Sequence, residues 1–295
     1  MTRWYPDLAE HVLKCLYART QPSLRLFVEG AGHLPDWDII LMQTAYCIEP
    51  IRLSPALLIE RVPYTRPESF CERLSATARR GWLQEEDGNF YLTNGGREIV
   101  EGVYELSDRL CAKIKTLTVP EIVRLLSQHD RIIEKIKQLP EPLRKPAFEF
   151  SLHFDRDKCA PPIVQVCQRI LVLLAFRDDA HIAAWRPYEP DGQLWEVFTL
   201  IWREQAGIAA ELVEQLAHRN YAVSDYAAAL EELAARGWIA NRGGKFVVQE
   251  QAAQMRQKVE STTDRTFADA FTCLSLIELR KFRDLMGKFA EAVCA

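Results

Sequence analysis

The sequence predicts a mainly α-helical chain that carries one folding unit twice, with a small β-hairpin in each copy. A four-residue signature at position 80, Arg-Gly-Trp-Leu, returns at position 236 as Arg-Gly-Trp-Ile, a shift of 156 residues. The same shift, held without gaps, aligns identical residues at Leu74 and Leu230, Gly88 and Gly244, Phe90 and Phe246, Val103 and Val259, Asp108 and Asp264, and Arg109 and Arg265. After each signature the apolar period changes from helical to alternating. Identities over so long a run, at so long a period, indicate a duplicated domain.

Length and composition limit the class of protein. A chain of 295 residues has room for about two domains. Its 48% hydrophobic and 26% charged content is ordinary for a soluble globular protein. No apolar run reaches the roughly 18 residues that span a membrane, and residues 1–7 lack the apolar core of a secretory signal, so a cytoplasmic protein is expected. A net charge of −4 argues against broad, non-specific nucleic-acid binding.

The eight cysteines form no CxxC pair. Most lie among apolar neighbours, so we expect them to be reduced and mostly buried. A redox sensor is the alternative, with Cys71 and Cys111 as its candidates.

In the first copy, helical spacing surrounds one hairpin. The predicted helices cover residues 7–27 (with a break near Pro22), 37–46, 55–59, 66–80, 97–116 and 120–138. Asp36 is the expected N-cap of the second helix, and Ser54 that of the third, with Pro55 in its first turn. The hairpin covers residues 82–93, with Asp87-Gly88 at its tip.

The second copy repeats this order after a break at residues 139–142. Its first predicted helix covers residues 163–176 and is followed by an irregular stretch at 177–192. A further helix starts at residue 194, and others cover 209–216, 225–236, 250–270 and 275–293. The second hairpin is predicted at 238–248. The predicted domains are therefore residues 1–140 and 161–295, joined by a linker at 141–160.

Helix, short helix, turn, helix and two-stranded hairpin is the order of a winged helix-turn-helix unit. Family-like motifs stand at residues 34–41, 57–58, 74–83 and 91–96, and the last helices open with similar segments at 117–121 and 274–278. Together these resemble the MarR family of bacterial regulators. The resemblance implies a transcriptional regulator that binds double-stranded DNA.

The chain departs from the MarR pattern in two respects. Such regulators pair as homodimers through their terminal helices, whereas here two copies share one chain. The resemblance therefore implies two winged-helix domains in tandem, related by a pseudo-twofold axis and packed through their terminal helices. Such a chain is a monomer that acts as a pseudo-dimer. In addition, the exit of the second wing, at residues 248–250, has lost the family's motif.

DNA readout needs donors that reach bases and cations that reach phosphates. In the first copy, Arg66, Ser69 and Arg73 follow helical spacing along one face, and Arg79 and Arg80 lie at the helix exit. The alternative is an ordinary solvated helix face. The wing tip at residues 85–87 is acidic and would repel phosphate.

The second copy reverses this pattern. Its wing carries Arg242 and Lys245, but its reading helix is rich in alanine and glutamate. Its remaining polar candidates are Arg219, Asn220, Ser224 and Arg236. A symmetric operator needs equal contacts from both halves, so we expect an asymmetric DNA site or one dominant half.

Other chemistry has little support in the sequence. The histidines form neither HExxH nor a His/Cys cluster at ligand spacing, and the nearest group is His153 with Asp155, Asp157 and Cys159. No phosphate-binding loop or GxSxG motif is present, so no enzyme, metal or cofactor is expected. The resemblance implies a small aromatic effector near Trp37, Trp195 and Trp202, whereas ordinary core packing is the alternative for these tryptophans.

Two functions therefore stay open. The first is a MarR-like regulator that binds DNA as one chain, with or without a response to a small ligand. The second is a winged-helix protein that has lost DNA readout and serves as a protein-interaction or small-ligand module. The doubled winged unit and the arginine face of the first reading helix favour the first, whereas the acidic first wing and the alanine-rich second reading helix favour the second.

Overall fold

The structure, a computed structural model, describes residues 3–30, 34–154 and 160–295. Helices and two hairpins account for most of these residues, as the sequence predicts. The helices are α1 (Trp4–Gly30), α2 (Asp36–Ile48), α3 (Pro55–Arg61), α4 (Pro67–Arg79), α5 (Asn94–Cys111), α6 (Val119–Gln138), α7 (Pro146–Leu152), α8 (Pro162–Trp185), α9 (Gly192–Trp202), α10 (Ala209–Gln215), α11 (Val223–Ala235), α12 (Glu250–Asp269) and α13 (Leu276–Cys294). The strands are β1 (Leu83–Glu86), β2 (Asn89–Leu92), β3 (Ile239–Arg242) and β4 (Lys245–Val248). No helix among the described residues is long and apolar enough to cross a membrane.

The two halves repeat one order of elements. Five elements of the first half, α2, α4, β1, β2 and α5, begin 156 residues before α9, α11, β3, β4 and α12. Each hairpin is antiparallel, with Leu83 opposite Leu92 in one and Ile239 opposite Val248 in the other. The helix α6 and its counterpart α13 begin 157 residues apart.

The repeated Arg-Gly-Trp signature forms the same turn twice. Gly81 has φ 83° and Gly237 has φ 71°, values that favour glycine because a side chain would strain the backbone. The turn lets Trp82 N donate to the carbonyl of Thr77 at 3.3 Å, and Trp238 N to that of Leu233 at 3.0 Å. The signature is therefore the exit from a helix into a hairpin in both halves.

The described contacts divide the chain into two compact units that interleave along the sequence. Unit 1 contains residues 1–54, 74–180 and 264–295, and unit 2 contains residues 55–73 and 181–263. This grouping follows contact in space, so the boundaries at residues 140 and 161 stay a prediction.

In unit 1 the counterparts α6 and α13 bury matching positions. A shift of 157 residues pairs six buried α6 positions with buried α13 positions: Leu125 with Phe282, Gln128 with Leu285, His129 with Met286, Ile132 with Phe289, Ile133 with Ala290, and Ile136 with Val293. A helix that buries one stripe of side chains needs an apolar partner on that face. Both helices supply theirs to one core, which also includes α1 and α8.

Two ion pairs join α6 and α13 reciprocally. Lys288 Nζ lies 3.1 Å from Glu121, and Arg131 Nη1 lies 2.6 Å from Glu278. The 157-residue shift aligns Glu121 with Glu278 and Arg131 with Lys288, so each ion pair is the counterpart of the other. Each glutamate also closes a capping box, with Thr118 or Ser275. Hydrogen bonds lower the pKa of each carboxyl to about 2. The largest cause is the hydrogen bond from Thr118 for Glu121 and the one from Arg131 for Glu278.

The unit 1 core contains a buried histidine. His129 Nδ1 lies 2.9 Å from the carbonyl of Leu125, and the Tyr5 hydroxyl lies 2.9 Å from Nε2. A neutral ring that donates from Nδ1 and accepts at Nε2 satisfies both contacts. Burial, the largest cause, lowers the pKa of His129 to about 4.

A disulfide joins Cys15 of α1 to Cys294 of α13. The expectation of reduced cysteines is therefore wrong for this pair, because the fold brings together residues 279 positions apart in the sequence. The remaining free cysteines include the exposed Cys71 and the buried Cys111.

Unit 2 has its own core around Trp195 of α9. Trp195 is 1% exposed and stacks on Trp185, with ring centroids 5.8 Å apart. The buried guanidinium of Arg256, from α12, lies over the rings of Trp195 and Trp202 at 5.2 and 4.9 Å. Burial, the largest cause, lowers the pKa of Arg256, whose charge is balanced by Glu260 one turn away.

Two predicted interruptions of helices are wrong. The helix α1 continues through Pro22 to Gly30, although an internal proline costs about 3 kcal/mol. Packing beyond the proline offsets this cost, since the Phe27 ring lies against Gly102 of α5 so closely that a Cβ there would meet it at 2.6 Å.

The helix α8 continues to Trp185, through residues 177–185 that were predicted to be irregular. Their charges hide the helical period. Asp179 is nonetheless buried, because its carboxylate accepts hydrogen bonds from Ala147 N and Phe148 N at 3.0 and 2.8 Å. These two amides begin α7, a helix within the predicted linker that the sequence reading missed.

Candidate nucleic-acid interface

The helix α4, which the sequence predicts to be a reading helix, begins inside unit 2. Arg66, just before it, donates its backbone N–H to the carbonyl of Arg219 at 3.1 Å. The Arg66 guanidinium lies 3.3 Å from Glu68 and 3.7 Å from Glu72, and both carboxylates belong to α4 itself. The positive charge at the start of the helix is therefore largely balanced locally.

The next two residues of the predicted reading face are turned toward protein. Ser69 is 0% exposed, and its hydroxyl is buried. Arg73 donates from Nη2 to the carbonyl of His218 at 3.2 Å, and burial lowers the pKa of its guanidinium. In this conformation neither side chain is presented to a DNA base.

Arg79 and Arg80, at the exit of α4, differ in environment. Arg80 makes a bidentate ion pair with Asp38 of α2, with both N–O distances at 2.5 Å, and this hydrogen bonding raises the pKa of Arg80. Asp38 is buried and also accepts from the Thr77 hydroxyl at 2.7 Å. Arg80 thus neutralises a buried carboxylate in unit 1. Arg79 is exposed.

Arg219 is the centre of a network in unit 2. Its guanidinium makes a bidentate contact with Glu196 at 2.6–3.2 Å, and Nη1 lies 3.3 Å from the Thr65 hydroxyl. It also lies over the Tyr64 ring at 5.4 Å. Only 17% of the side chain is exposed. This arrangement fixes the segment before α4 to the turn before α11, so the α3–α4 and α10–α11 connections meet in unit 2.

The other polar candidates near α11 are exposed. Asn220 has φ 65° and ends a 3₁₀ turn, Ala217–Arg219, ahead of the helix. Ser224 is an exposed residue of the first turn of α11. Arg236, at the end of the helix, pairs with Glu232 at 2.6 Å and lies over the Trp238 ring. Asn220 and Ser224 thus contribute short, accessible polar side chains to this segment.

The second wing presents two cations. Arg242 and Lys245 are both exposed at the β3–β4 tip, where Gly244 N donates to the side chain of Asn241 at 3.0 Å. Lys245 Nζ lies 2.9 Å from Glu211 of α10. The first wing is acidic and exposed at residues 85–87, as the sequence indicates. The exposed wing cations of this pair of hairpins therefore belong to the second.

A cleft of about 310 Å³ opens beside the first turn of α11. Its charged lining residues are Arg66, Glu68, Asp191, Asp225 and Glu232. One cation against four carboxylates disfavours phosphate there and favours cationic or hydrogen-bonding groups.

The predicted aromatic residues do not share one environment. Trp37 lies half-buried on α2, in unit 1. Trp195 and Trp202 lie in unit 2, where both contact Arg256. The Trp195 ring also donates from Nε1 to His181 at 3.1 Å.

The structure gathers one ligand group that the sequence reading missed. His11, Cys15 and Cys294 bring their ring nitrogens and sulfurs within 4.8 Å of one another. His11 and Cys15 stand four residues apart on α1, a spacing that places both on one helix face. Cys294 is remote in sequence. The predicted group of His153 with Asp155, Asp157 and Cys159 lies largely outside the described residues.

Residues 153–295 match a helix-turn-helix family. No curated protein and no solved structure matches the chain. The matched segment includes α9, α10, α11 and the β3–β4 hairpin, whose order is that of a helix followed by the helix-turn-helix pair and a wing. Residues 153–295 therefore contain a helix-turn-helix domain, the kind of domain that binds DNA in regulators.

Proposed function

We propose that the chain is a MarR-like transcriptional regulator that works as a single-chain pseudo-dimer and binds double-stranded DNA mainly through its second winged helix. The observation that carries this proposal is the repeated order of helix, short helix, helix and hairpin, together with the family match over residues 153–295. The tandem arrangement comprises residues 1–140 and 161–295.

The packing of α6 against α13 supports the pseudo-dimer. In an interface with twofold symmetry, residue i of one copy contacts residue j of the other, and j of the first contacts i of the second. The pairs Glu121–Lys288 and Arg131–Glu278 follow this rule within one chain. Such reciprocity is expected if a gene fusion joined two subunits that once paired through these helices.

The distribution of accessible cations supports a dominant second half. Arg66, Arg73 and Arg80 of the first half, and Arg219 of the second, have their charges engaged by protein groups. By contrast, Arg242 is exposed on a wing beside Lys245, which is also exposed but pairs with Glu211, while the first half contributes the exposed Arg79. A wing that contacts phosphates supplies affinity, while exposed donors at Ser224 and Asn220 contact the groove.

The test is selection of duplexes from a random pool at low salt, followed by affinity measurements across salt concentrations. The full chain should enrich a motif. Arg242→Ala should weaken binding and lower the slope of log K against log salt by about 1, the value for one lost phosphate contact. Arg280→Ala, an exposed arginine of α13, is the matched control and should change neither quantity.

The second candidate function is a helix-turn-helix module without DNA readout, which binds a protein or small ligand. The burial of Ser69 and the network around Arg219 favour it, because both hold a predicted reading helix against protein. The acidic cleft beside α11 would suit a cationic ligand. The ring of Trp195 is packed in the core, so neither candidate function uses it to bind an aromatic effector.

The same selection separates the two functions. Enrichment that depends on Arg242 supports the regulator. Phosphate attraction is strongest at low salt. If the chain at low salt retains all sequences equally, or retains none, the regulator is refuted in favour of the module.

A further inference from the structure

We propose that His11, Cys15 and Cys294 form a thiol-dependent Zn²⁺ site that the disulfide closes and reduction opens. In the structure, His11 Nε2 lies 3.4 Å from Cys294 Sγ and 3.9 Å from Cys15 Sγ. Tetrahedral zinc with ordinary Zn–S and Zn–N bonds separates a nitrogen from a sulfur ligand by about 3.6 Å. The two observed distances bracket this value.

The donor set is suited to zinc. Two thiolates and one imidazole are the ligands that select Zn²⁺ over magnesium or calcium, which prefer oxygen. Among the described residues no fourth His, Cys, Asp or Glu joins the group, so water or an exogenous ligand would complete the tetrahedron. His11 is exposed and both cysteines are half-buried, so solvent reaches the group.

The surrounding structure positions these ligands. His11 and Cys15 are separated by one turn of α1, so the helix backbone fixes their spacing. Cys294 is the last residue of α13, and Arg19 of α1 donates to the carbonyl of its neighbour Val293 at 2.8 Å. This hydrogen bond holds the end of α13 beside α1 without depending on the disulfide.

Metal binding and the disulfide exclude each other. Two sulfurs on one zinc ion lie about 3.8 Å apart and carry negative charge, whereas in the disulfide they are bonded to each other. A dithiol reductant transfers two electrons and two protons to the disulfide, which becomes two thiols as the reductant becomes a cyclic disulfide. Zn²⁺ then displaces the two thiol protons to solvent and binds the thiolates. A small-molecule disulfide reverses the sequence: it accepts the two electrons, takes up two protons from solvent and becomes two thiols, while the protein disulfide re-forms and Zn²⁺ is released.

The experiment titrates the full chain with Co²⁺, a spectroscopic substitute for zinc, after reduction with a phosphine and its removal. We expect one Co²⁺ per chain with thiolate charge-transfer absorption, and its displacement by Zn²⁺. The disulfide form should give no such absorption. Cys15→Ser and Cys294→Ser should abolish it, and His11→Gln should weaken binding at least tenfold. Cys71→Ser and His153→Gln are matched controls at exposed positions outside the group and should bind as the wild type does.

Differential alkylation tests the site without variants. Zn²⁺ should protect Cys15 and Cys294 of the reduced chain from a thiol reagent, while the exposed Cys71 reacts. The proposal is overturned if zinc gives no protection, if the disulfide form binds cobalt as well as the reduced form, or if Cys15→Ser leaves the absorption unchanged.

Discussion

The buried His129 makes a quantitative prediction about stability and pH. Its pKa is about 4 in the folded chain and 6.5 for an ordinary histidine, a difference of about 2.5 units. Between these values the unfolded chain binds a proton that the folded chain refuses, so the contribution of His129 falls as pH falls from 6.5 to 4. At 1.36 kcal/mol per unit the loss is about 3 kcal/mol.

The matched variant replaces the pair that His129 forms with Tyr5. Position 129 corresponds to Met286 in the repeat, so Tyr5→Phe with His129→Met uses a residue that an equivalent core position already accommodates. Removing both partners leaves neither the tyrosine hydroxyl nor the ring nitrogens unsatisfied. The variant therefore isolates the titration of His129 from the cost of a broken hydrogen bond.

The assay is urea unfolding of both proteins at intervals from pH 7 to pH 4. Asp179 acts in the opposite direction, because burial, the largest cause, raises its pKa from 3.8 to about 7, and an acid of this kind gains stability as pH falls through that window. The wild-type curve is consequently a sum, and the informative quantity is the difference between the two proteins. The variant should lose about 3 kcal/mol less than the wild type between pH 6.5 and pH 4. Parallel curves would refute the assignment of a neutral, buried histidine.

Two further predictions concern arginines. Arg80→Ala should lower the free energy of unfolding by about 2 kcal/mol, because it leaves the carboxylate of Asp38 buried without its cation. The control Arg79→Ala, at the exposed neighbouring position, should change the free energy of unfolding by less than about 0.5 kcal/mol in the same urea assay. Equal effects of the two substitutions would contradict this reasoning. A double-mutant cycle on Arg131 and Glu278 should give a coupling free energy of about 0.5 kcal/mol, as for other partly exposed pairs, and a coupling of zero would remove the energetic support for this reciprocal contact.

The local elements were largely predictable from sequence, because their signals are local. Both hairpins follow from a glycine turn and alternating residues, and the observed strands lie within the predicted limits. The errors arise where tertiary contact overrides a local signal. Pro22 would end an isolated helix, but packing of Phe27 continues it. Charges around Asp179 resemble a loop until the amides of α7 supply its hydrogen bonds.

The candidate sites were less predictable, since they depend on residues distant in sequence. Helical spacing predicts one face for Ser69 and Arg73, but spacing cannot show that Ser69 is buried or that Arg73 reaches the carbonyl of His218. The spacing of His11 and Cys15 was visible, whereas the approach of Cys294 required the packing of α13. Periodicity identifies a face, and only the fold identifies what covers it.

The pairing of α6 with α13 inside one polypeptide removes the dependence of assembly on protein concentration. Two separate subunits dissociate on dilution, whereas tethered halves meet at an effective concentration set by the connecting chain. A substitution in a homodimer also changes both subunits at once, whereas in the proposed pseudo-dimer each half varies alone. Under that proposal, one half is free to specialise in stabilising the scaffold while the other contacts the DNA.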